Sequence, residues 1–436
     1  MNYQELIRWL EEVPLYGHKD GVNNIRKLMA RFDNPQQSYQ VIHVAGTNGK
    51  GSVCAMLESV LRSSGCKVGL FTSPHLVDYP ERIQVNRQPI SRQRFTQLGL
   101  LVKAEVEAMV REGENHCTFF EILTAMGFLY FREQGVDVVV LETGVGGRLD
   151  ATNIVEPPAL RLTVITSISL DHTKVLGDTR EKIAGEKAGI LRPNVPIILA
   201  PNQADVQRVV EERANALGSP YLYAGSMGPE DRRRFTADHI RYTVPLEGDY
   251  QEENLTTVLA AIDCLRKGAA KSAKESSPEE KTIPPITDEA ILRGLRDTQW
   301  PGRMERRLFL GKPLLLDGAH NPDGAEKLAA YLTRSCPKDS VTLVFSALGK
   351  KDVSGILGKL RDCPAVRDAI FTRIHGEENE QRFIDIWQEK KSYRVVPEPM
   401  EALTKAASGP GELVVCAGSL YLIGEIMEKD KGAAHV

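Results

Sequence analysis

The sequence lacks the cysteine pattern, the long apolar runs and the charge excess that identify several classes of protein. Its seven cysteines are scattered and form no C-x-x-C pair, so reduced thiols are expected rather than a zinc site or a disulfide framework. No run approaches the roughly 20 apolar residues that cross a bilayer. A formal net charge of −3 provides no basic field for nucleic acid.

The N-terminal residues also lack the features of a secretory signal. Met1–Gly17 form an acidic, amphipathic segment without the basic start and apolar run of a signal peptide. We therefore expect a cytoplasmic monomer that binds small molecules, with neither nucleic acid nor membrane as a partner.

Length and hydrophobic pattern indicate an α/β protein of more than one domain. A chain of 436 residues exceeds one ordinary core. Short apolar runs alternate with helical patterns, as in a mostly parallel sheet that is buried on both faces. The strands predicted in the first half are Val41–Ala45, Val68–Thr72, Val136–Glu142, Leu162–Ser167 and Pro196–Leu199. The helices predicted there include Ser52–Ser64, Phe119–Glu133 and Arg180–Leu191.

The second half repeats this alternation. Its predicted strands are Pro313–Leu316, Val341–Phe345, Asp368–Thr372, Arg394–Val396 and Leu413–Cys416. Its predicted helices are Ala325–Arg334, Ile356–Arg361, Glu380–Lys390 and Leu420–Glu428. The polar segment Lys267–Pro285 is interpreted as a solvated loop. The sequence WPG at residues 300–302 is a stronger break, so we expect the domain boundary near Thr298.

A glycine-rich turn between a predicted strand and a predicted helix forms the first motif. Residues 46–52 read GTNGKGS, and the N–H groups of such a turn converge on phosphate at a helix N-terminus. Lys50 would reach the β- and γ-phosphates, and Ser52 could face a metal. The pattern departs from the strict Walker form, and a plain tight turn with a surface lysine is the alternative.

Three further charged residues follow predicted strands or lie in a helix. Glu142 ends a buried strand, where open α/β sheets bind ligands, and its carboxylate suits Mg²⁺. By itself, a structural role as a helix-capping or salt-bridged acid is expected about as often as metal binding. His172, in SISLDH, could bind a metal through a neutral imidazole, although a lone histidine is more often structural. Taken by itself, Lys187 in GEKAGI is expected to be a solvated helix lysine.

A last group of candidates lies near the predicted boundary. Arg303 is a candidate for contact with polyphosphate or adenine. Asp317 follows a predicted strand and could accept from ribose hydroxyls, with an Asx-type turn as the alternative. His320 lies three residues further along the same loop.

These motifs, in this order, resemble the folylpolyglutamate synthase/dihydrofolate synthase family of the Mur ligase superfamily. The resemblance covers nearly the whole chain through VAGTNGKGS, TSPHL, LETGVGGRLDATN, SLDHTKVLG, GEKAGI, PGRME, DGAHNP and CAGSLYL. It implies an N-terminal P-loop-type ATPase domain over residues 1–298, which binds ATP and folate. It also implies a smaller C-terminal Rossmann-like α/β domain over residues 299–436, which acts as the glutamate-ligase domain.

The resemblance implies an ATP-dependent ligase that adds L-glutamate to the γ-carboxylate of tetrahydrofolate-type polyglutamates through an acyl phosphate. Dihydropteroate is expected as a second acceptor, and a dihydrofolate synthase alone is the alternative. Another Mur-type amide ligase is disfavoured, because only residues 1–40 precede the strand before the glycine-rich turn. A non-enzymatic ATP-binding switch would have no use for Lys187 or for TSPHL.

The resemblance also assigns roles to residues. Those for ATP are Asn48, Gly49, Lys50, Gly51, Ser52, Asn254, Arg303 and Asp317. Those for Mg²⁺ are Ser73, Glu142 and His172. Those for folate are Thr118, Phe119, Phe120, Glu121, Leu149, Asp150 and Ala151. Those for glutamate are His320 and Ser419, and those for catalysis are Lys50, Lys187 and His320. Lys187 matches the lysine that the family carboxylates with CO₂.

Overall fold

The computed structural model describes residues 1–13, 21–226, 242–275, 283–349, 351–374, 377–387 and 391–430. The chain divides into two compact units, each with its own sheet and core. The first consists of Met1–Ser73, Tyr79–Pro245 and Glu253–Thr298. The second consists of Pro74–Asp78, Leu246–Glu252 and Gln299–Val436. Among the described residues, no helix is both long and apolar enough to span a membrane.

The first unit is an α/β structure. Its strands are β1 Gln40–Ala45, β2 Val68–Phe71, β3 Ile83–Val85, β4 Gln88–Pro89, β5 Val138–Glu142, β6 Leu160–Ile165, β7 Ile197–Leu199 and β8 Tyr221–Tyr223. Its helices are α1 Tyr3–Glu12, α2 Asn23–Ala30, α3 Lys50–Ser63, α4 Arg92–Arg111, α5 Phe119–Gln134, α6 Thr173–Leu176, α7 Arg180–Lys187, α8 Ala204–Ala216, α9 Tyr250–Glu275 and α10 Asp288–Arg296. The first residues of α9 belong to the second unit.

The sheet of the first unit aligns the strand ends that later form the site. Its order is β4-β3-β2-β5-β1-β6-β7-β8, and only the β2–β3 and β3–β4 pairs are antiparallel. The central strands β1 and β5 are almost wholly buried, as expected of parallel strands covered on both faces. The register places Val44 of β1 beside Glu142 of β5 and Ala45 beside Ile165 of β6. The carboxyl ends of these three strands therefore lie at one edge.

The second unit is a smaller α/β structure. Its strands are β9 Glu305–Phe309, β10 Lys312–Leu316, β11 Val341–Phe345, β12 Val366–Phe371, β13 Ser392–Val395 and β14 Leu413–Ala417. Its later helices are α11 Pro322–Ser335, α12 Val353–Asp362, α13 Glu380–Trp387, α14 Pro399–Ala407 and α15 Leu420–Lys429. The strand order is β13-β12-β11-β14-β10-β9, and β9 is antiparallel to β10. Separate apolar clusters cover the two faces.

The fold class predicted from the sequence is confirmed. Every predicted strand is present, and its ends lie within two residues of the predicted ends. The strands that were not predicted are β3, β4, β8 and β9. They are short or charged and lie toward the edges of their sheets, where a long apolar run is not needed.

The prediction of a loop over Lys267–Pro285 is wrong in its first part. Helix α9 continues to Glu275, and residues 276–282 lie outside the described residues. The sequence KGAAKSAKE at residues 267–275 is rich in alanine, lysine and glutamate, which are strong helix formers. A polar segment of this composition is therefore as compatible with a solvated helix as with a solvated loop.

Candidate functional site

The glycine-rich loop joins β1 to α3 at the carboxyl edge of the first sheet. Gly49 precedes α3 with a φ of 85°. A Cβ atom on Gly49 would lie 2.4 Å from Oδ1 of Asn254, so this position requires glycine both for its conformation and for its close neighbour. Asn254, which the sequence assigns to the nucleotide site, therefore lies against the last turn of the loop.

Hydrogen bonds to the segment after β6 hold the loop in place. The Thr47 N–H donates to the Ser167 carbonyl at 2.8 Å, and Thr166 Oγ1 donates to the Asn48 carbonyl at 2.7 Å. A Cβ atom on Gly46 would lie 1.7 Å from Thr166 Oγ1. The neighbouring strand thus helps to set the shape of the loop, and sequence reasoning assigned no role in the site to Thr166 or Ser167.

Two lysine side chains converge on one carbonyl group of this loop. Lys50 Nζ donates to the carbonyls of Gly46 and Thr47, both at 3.1 Å. Lys187 Nζ donates to the same Gly46 carbonyl at 2.6 Å. Lys187 is only 3% exposed, so it is a buried residue of this site and not a solvated helix lysine.

The surroundings of Lys187 disfavour its charged form. Burial, together with the positive charge of Lys50, lowers the pKa of Lys187 from 10.5 to about 7. The carboxylates of Asp171 and Asp150 act in the opposite direction but do not cancel this effect. A large fraction of the Lys187 amine is therefore neutral near pH 7. Asp171 was not predicted, although it directly precedes the candidate ligand His172.

Glu142 ends β5 beside the same loop. It is 4% exposed, and its Oε2 accepts a hydrogen bond from the Ser73 N–H at 3.1 Å. Its Oε1 lies 4.0 Å from Lys50 Nζ. The structure therefore brings together Lys50, Ser73 and Glu142, which come from three different segments of the sequence.

His172 lies in the loop that follows β6. Its φ is 50°, its side chain is 38% exposed, and its N–H donates to Asp171 Oδ1 at 2.8 Å. Within the part of the chain that the structure describes, no group of three or more His, Cys, Asp or Glu side chains is arranged to hold a metal. Mg²⁺ binds few protein carboxylates and takes its other ligands from water and phosphate. The buried carboxylate of Glu142 fits such a site, and the role of His172 stays a prediction.

Part of the predicted folate group forms the start of α5. The Thr118 N–H donates to Glu121 Oε2 at 2.7 Å, and the Glu121 N–H donates to Thr118 Oγ1 at 3.3 Å. These two hydrogen bonds form a capping box, and the role of both residues in folate binding stays a prediction. Phe119 lies in the apolar core. A Cβ atom on Gly144 would lie 2.6 Å from the Phe120 ring, so Phe120 packs against the glycine loop after β5.

Asp150 organises that glycine loop. Its Oδ2 accepts from two backbone N–H groups of the loop, both at 2.9 Å. Its Oδ1 accepts from the N–H and the hydroxyl of Thr152, at 3.1 and 2.6 Å. Burial raises the pKa of Asp150, and these four hydrogen bonds oppose that shift. Leu149 is exposed whereas Ala151 is buried, so residues 149–151 do not present one common surface.

Asp317 organises the loop after β10 in the second unit. Its Oδ2 accepts from the Met304 N–H at 3.0 Å and from the Tyr250 hydroxyl at 3.5 Å. Burial raises the pKa of Asp317, and the positive charge of Arg303 opposes the shift. A Cβ atom on Gly318 would lie 2.0 Å from Arg303 Nη1. Arg303 and Asp317 therefore lie close together, with Tyr250, which sequence reasoning did not identify.

His320 and Ser419 follow neighbouring parallel strands, β10 and β14. The Gly418 N–H donates to the Ala319 carbonyl at 3.0 Å, which joins the two loops. Ser419 caps α15 by accepting from a backbone N–H at 3.1 Å. His320 Nδ1 lies 2.8 Å from the Gly318 carbonyl. Because a carbonyl can only accept, Nδ1 carries the proton, and a neutral ring has its lone pair on Nε2.

Comparison with known proteins finds similarity along most of the chain. Residues 44–262 match the family model "Mur ligase middle domain", and residues 310–429 match "Dihydrofolate synthetase, C-terminal domain". A Bacillus subtilis protein named dihydrofolate synthase/folylpolyglutamate synthase is 36% identical over 445 residues, which cover 98% of this chain and 99% of the relative.

Solved structures show the same similarity. The structure of E. coli FolC in complex with DHPP and ADP superposes with a TM-score of 0.82 at 27% identity, covering 98% of this chain and 97% of the other. Mycobacterium tuberculosis folylpolyglutamate synthase, complexed with ADP and AMPPCP, superposes with a TM-score of 0.81 at 27% identity and covers 98% of each chain.

Proposed function

The chain belongs to the dihydrofolate synthase/folylpolyglutamate synthase family of Mur ligases, and we propose that it joins L-glutamate to a folate-type carboxylate while converting ATP to ADP and phosphate. The observation that supports this most directly is the convergence of Lys50, Lys187 and Glu142 on the glycine-rich loop. A simple nucleotide-binding switch has no need for a second, buried lysine at its phosphate loop.

The glycine-rich loop binds the phosphates of ATP. The backbone N–H groups of residues 49–52 lie at the N-terminus of α3, which attracts anions. Lys50 neutralises charge on the phosphoryl group that is transferred. Asn254 packs against the last turn of the loop and so helps to keep the N–H groups of the loop directed toward the phosphates. The family relatives solved with ADP and AMPPCP support the use of a nucleotide.

Magnesium is the metal that suits this donor set. The carboxylate of Glu142 is the hard, anionic ligand, and Ser73 and His172 are the further ligands that the sequence suggests. When bound, Mg²⁺ neutralises phosphate charge and orients the γ-phosphoryl group. The contact between Glu142 and the Ser73 N–H fixes the direction of the carboxylate in advance.

The reaction proceeds in two displacements. An oxygen of the substrate carboxylate attacks the γ-phosphorus, the bond to the β-phosphate oxygen breaks, and ADP leaves with that electron pair. The glutamate amine then attacks the acyl carbon and loses a proton. The tetrahedral intermediate expels inorganic phosphate and leaves the amide. The protein residues act chiefly through positioning and charge stabilisation.

Lys187 is carboxylated by CO₂ in the active form. The neutral amine attacks the carbon of CO₂, one C=O electron pair moves to oxygen, and the nitrogen releases a proton. The product is a carbamate, which exchanges a cation for an anion beside Lys50. An anion at this place would pair with Lys50 and support the metal ligands. The lowered pKa of the amine and its burial beside the Gly46 carbonyl support this assignment.

In the second unit, Arg303, Asp317 and Tyr250 are assigned to the nucleotide, and His320 and Ser419 to glutamate. Arg303 provides a permanent positive charge. The loops after β10 and β14 present helix N-termini, which favour a carboxylate. Nε2 of a neutral His320 is the ring nitrogen suited to accept a proton from the incoming amine.

The acceptor is proposed to be a tetrahydrofolate-type compound first, with dihydropteroate as a second substrate. The Bacillus subtilis relative has a name that includes both activities. Phe120 and Leu149, one packed beside the glycine loop and the other exposed on it, are the predicted folate residues that are best placed for an aromatic ligand. A dihydrofolate synthase alone is the second candidate. We also propose that the protein is a monomer and that it lies in the cytoplasm.

The experiment that tests this function measures ADP release by the purified chain. Reactions contain ATP, Mg²⁺, a reduced folate and L-glutamate, and each component is omitted in turn. We expect ADP release only in the complete mixture, with dihydropteroate able to replace the folate. ADP release that is independent of both folate and glutamate would contradict the proposal. Activity with dihydropteroate alone would select the second candidate.

A further inference from the structure

A buried chain of three side chains connects the centre of the first sheet with the glycine loop after β5. His43 lies on β1, whereas Asp150 and Thr152 lie in the segment between β5 and β6. His43 and Thr152 are almost wholly buried. Side chains in such positions act on a ligand only through the groups that they hold in place, so the question is what this chain holds.

The hydrogen atoms along this chain can be placed by counting donors. Two backbone N–H groups of the glycine loop and the N–H of Thr152 donate to Asp150, an arrangement that suits an ionised carboxylate. The Thr152 hydroxyl, 2.6 Å from Asp150 Oδ1, gives its single hydrogen to that oxygen. Its own oxygen then accepts from His43 Nε2, which lies 2.8 Å away. Burial, together with the positive charge of Arg192, lowers the pKa of His43 to about 3, so the neutral ring carries its one proton on Nε2.

The chain ends on the first residues of the glycine loop. Asp150 Oδ2 accepts from the N–H groups of Gly144 and Val145, both at 2.9 Å. Gly144 lies directly against the Phe120 ring, because a Cβ atom on Gly144 would be 2.6 Å from it. The direction of the Asp150 carboxylate therefore sets how the start of the loop packs on Phe120, which is assigned to the acceptor.

Other contacts hold the residues that are assigned to ATP and Mg²⁺. The Thr143 N–H donates to the Val44 carbonyl at 2.9 Å, which keeps Glu142 at the end of β5. The Ser73 N–H directs the Glu142 carboxylate, and the segment after β6 holds the phosphate loop. Loss of the buried chain should therefore affect the acceptor more than the nucleotide.

We propose that His43 and Thr152 are positioning residues for the acceptor, which act through Asp150 on the start of the glycine loop. His43 orients the Thr152 hydroxyl, the hydroxyl orients the carboxylate, and the carboxylate holds two N–H groups of the loop. Hydrogen bonds of a buried chain act as a unit, because each one orients and polarises the next. This inference rests on the proposed function, since it takes the glycine loop as part of the acceptor site.

The test measures kcat and KM of full-length variants for a tetrahydrofolate-type acceptor and for ATP. Thr152→Val keeps the shape of the side chain and removes the hydroxyl, so it should raise the acceptor KM about tenfold. The KM for ATP should stay within about twofold of the parent value. Thr152→Ser keeps the hydroxyl and should restore most of the loss. If Thr152→Val does not fold, His43→Leu against His43→Gln, which retains an N–H donor, provides the same comparison.

Thr163→Val is the matched control. Thr163 is the register partner of His43 on the neighbouring strand β6, and its buried hydroxyl donates to the Pro196 carbonyl at 3.1 Å. Its loss should lower stability and leave the acceptor KM unchanged. A double variant tests whether the chain acts as a unit: His43→Leu should add little to Thr152→Val, because the chain is already broken there.

A second readout does not depend on activity. Hydrogen exchange of residues 142–153, followed by mass spectrometry, reports the N–H groups that donate to Asp150. We expect exchange about tenfold faster in Thr152→Val than in the parent, and unchanged in Thr163→Val. If the parent extends no acceptor, the proposed function fails and exchange alone decides on the chain. The inference is overturned by equal exchange in Thr152→Val and the parent, by equal rises in the KM for ATP and for the acceptor, or by losses that multiply in the double variant.

Discussion

Lys187 links the stability of the protein to its chemistry, because its buried amine is costly when charged and reactive when neutral. Its pKa is about 7 in the folded chain and near the ordinary value of about 10.4 when unfolded. Below pH 7 both states hold the proton, and the full cost of burying the charge is present. Between these two values the unfolded chain binds more protons, so stability rises with pH.

We therefore predict that Lys187→Met flattens this rise and stabilises the protein near pH 7 by a few kcal/mol in CO₂-free buffer. Urea denaturation at pH 7 and at pH 9 provides the measurement. Lys182→Met, which alters an exposed lysine of the same helix, serves as the control and should leave the slope unchanged. If Lys187→Met and the parent had the same pH dependence, the buried charge of Lys187 would not lower the stability of the folded chain.

The carbamate predicts a second property of the same residue. Lys187→Ala should be nearly inactive, and acetate should partly restore its activity by supplying the missing anion. In the parent, ¹³C NMR in labelled bicarbonate should show a carbamate signal that grows as the pH rises through about 7, where the amine loses its proton. An active Lys187→Ala variant, together with the absence of a carbamate signal in the parent, would contradict the carboxylation of Lys187.

Glu142 is predicted to be a metal ligand. Glu142→Gln keeps the size of the side chain and removes the charge that a hard cation prefers. We expect the magnesium concentration for half-maximal activity to rise by an order of magnitude or more, with a loss of maximal rate. Glu181→Gln, a change of a half-buried acid in the first turn of α7, is the control. A magnesium titration like that of the parent would make Glu142 a structural residue.

At the scale of elements, the phosphate loop depends on Gly49. Gly49→Ala introduces a Cβ where φ is 85° and where Asn254 leaves no room. We predict that it weakens nucleotide binding by tenfold or more, because the loop must open or Asn254 must leave. Fluorescence titration with a labelled ATP analogue measures this. Gly358→Ala, in the middle of α12 with open space around its Cβ position, should leave binding unchanged.

The elements also show how far sequence reasoning reaches. Central strands such as β5 were predictable because near-continuous apolar runs are required where both faces are covered. Edge strands such as β9, with the sequence ERRLF, satisfy no such requirement. The capping signature of Thr118 and Glu121 is visible in TFFE, and the resemblance assigns the same residues to folate. The capping box accounts for their mutual hydrogen bonds, and their folate role stays a prediction.

The neighbours of the motifs could not be predicted in the same way. The phosphate loop and Glu142 were identifiable because each belongs to a motif of consecutive residues. Thr166 and Tyr250 act through contacts with residues far away in the sequence, and no local pattern marks them. The burial of Lys187 is likewise a tertiary property, since its own helix is short and largely polar.

At the scale of the whole molecule, the chain crosses between its two units more often than one boundary suggests. The short segment Pro74–Asp78 belongs to the second unit, and the Leu76 carbonyl lies 1.8 Å from the position of a Cβ on Gly424. Leu246–Glu252 also belongs to that unit. A sequence break such as WPG can suggest where a domain begins, but it cannot show which earlier segments pack with it.

The amide-forming activity itself is tested most directly by the fate of the carboxylate oxygen. A tetrahydrofolate-type acceptor labelled with ¹⁸O in its terminal carboxylate is incubated with ATP, Mg²⁺, L-glutamate and the enzyme, and the products are analysed by mass spectrometry. Lys50→Ala, which should fold but not transfer phosphate, is the control. We predict an acceptor extended by glutamate that has lost one ¹⁸O atom, and inorganic phosphate that has gained it. Formation of a glutamylated product together with unlabelled inorganic phosphate would contradict the account, as would the absence of any glutamylated product.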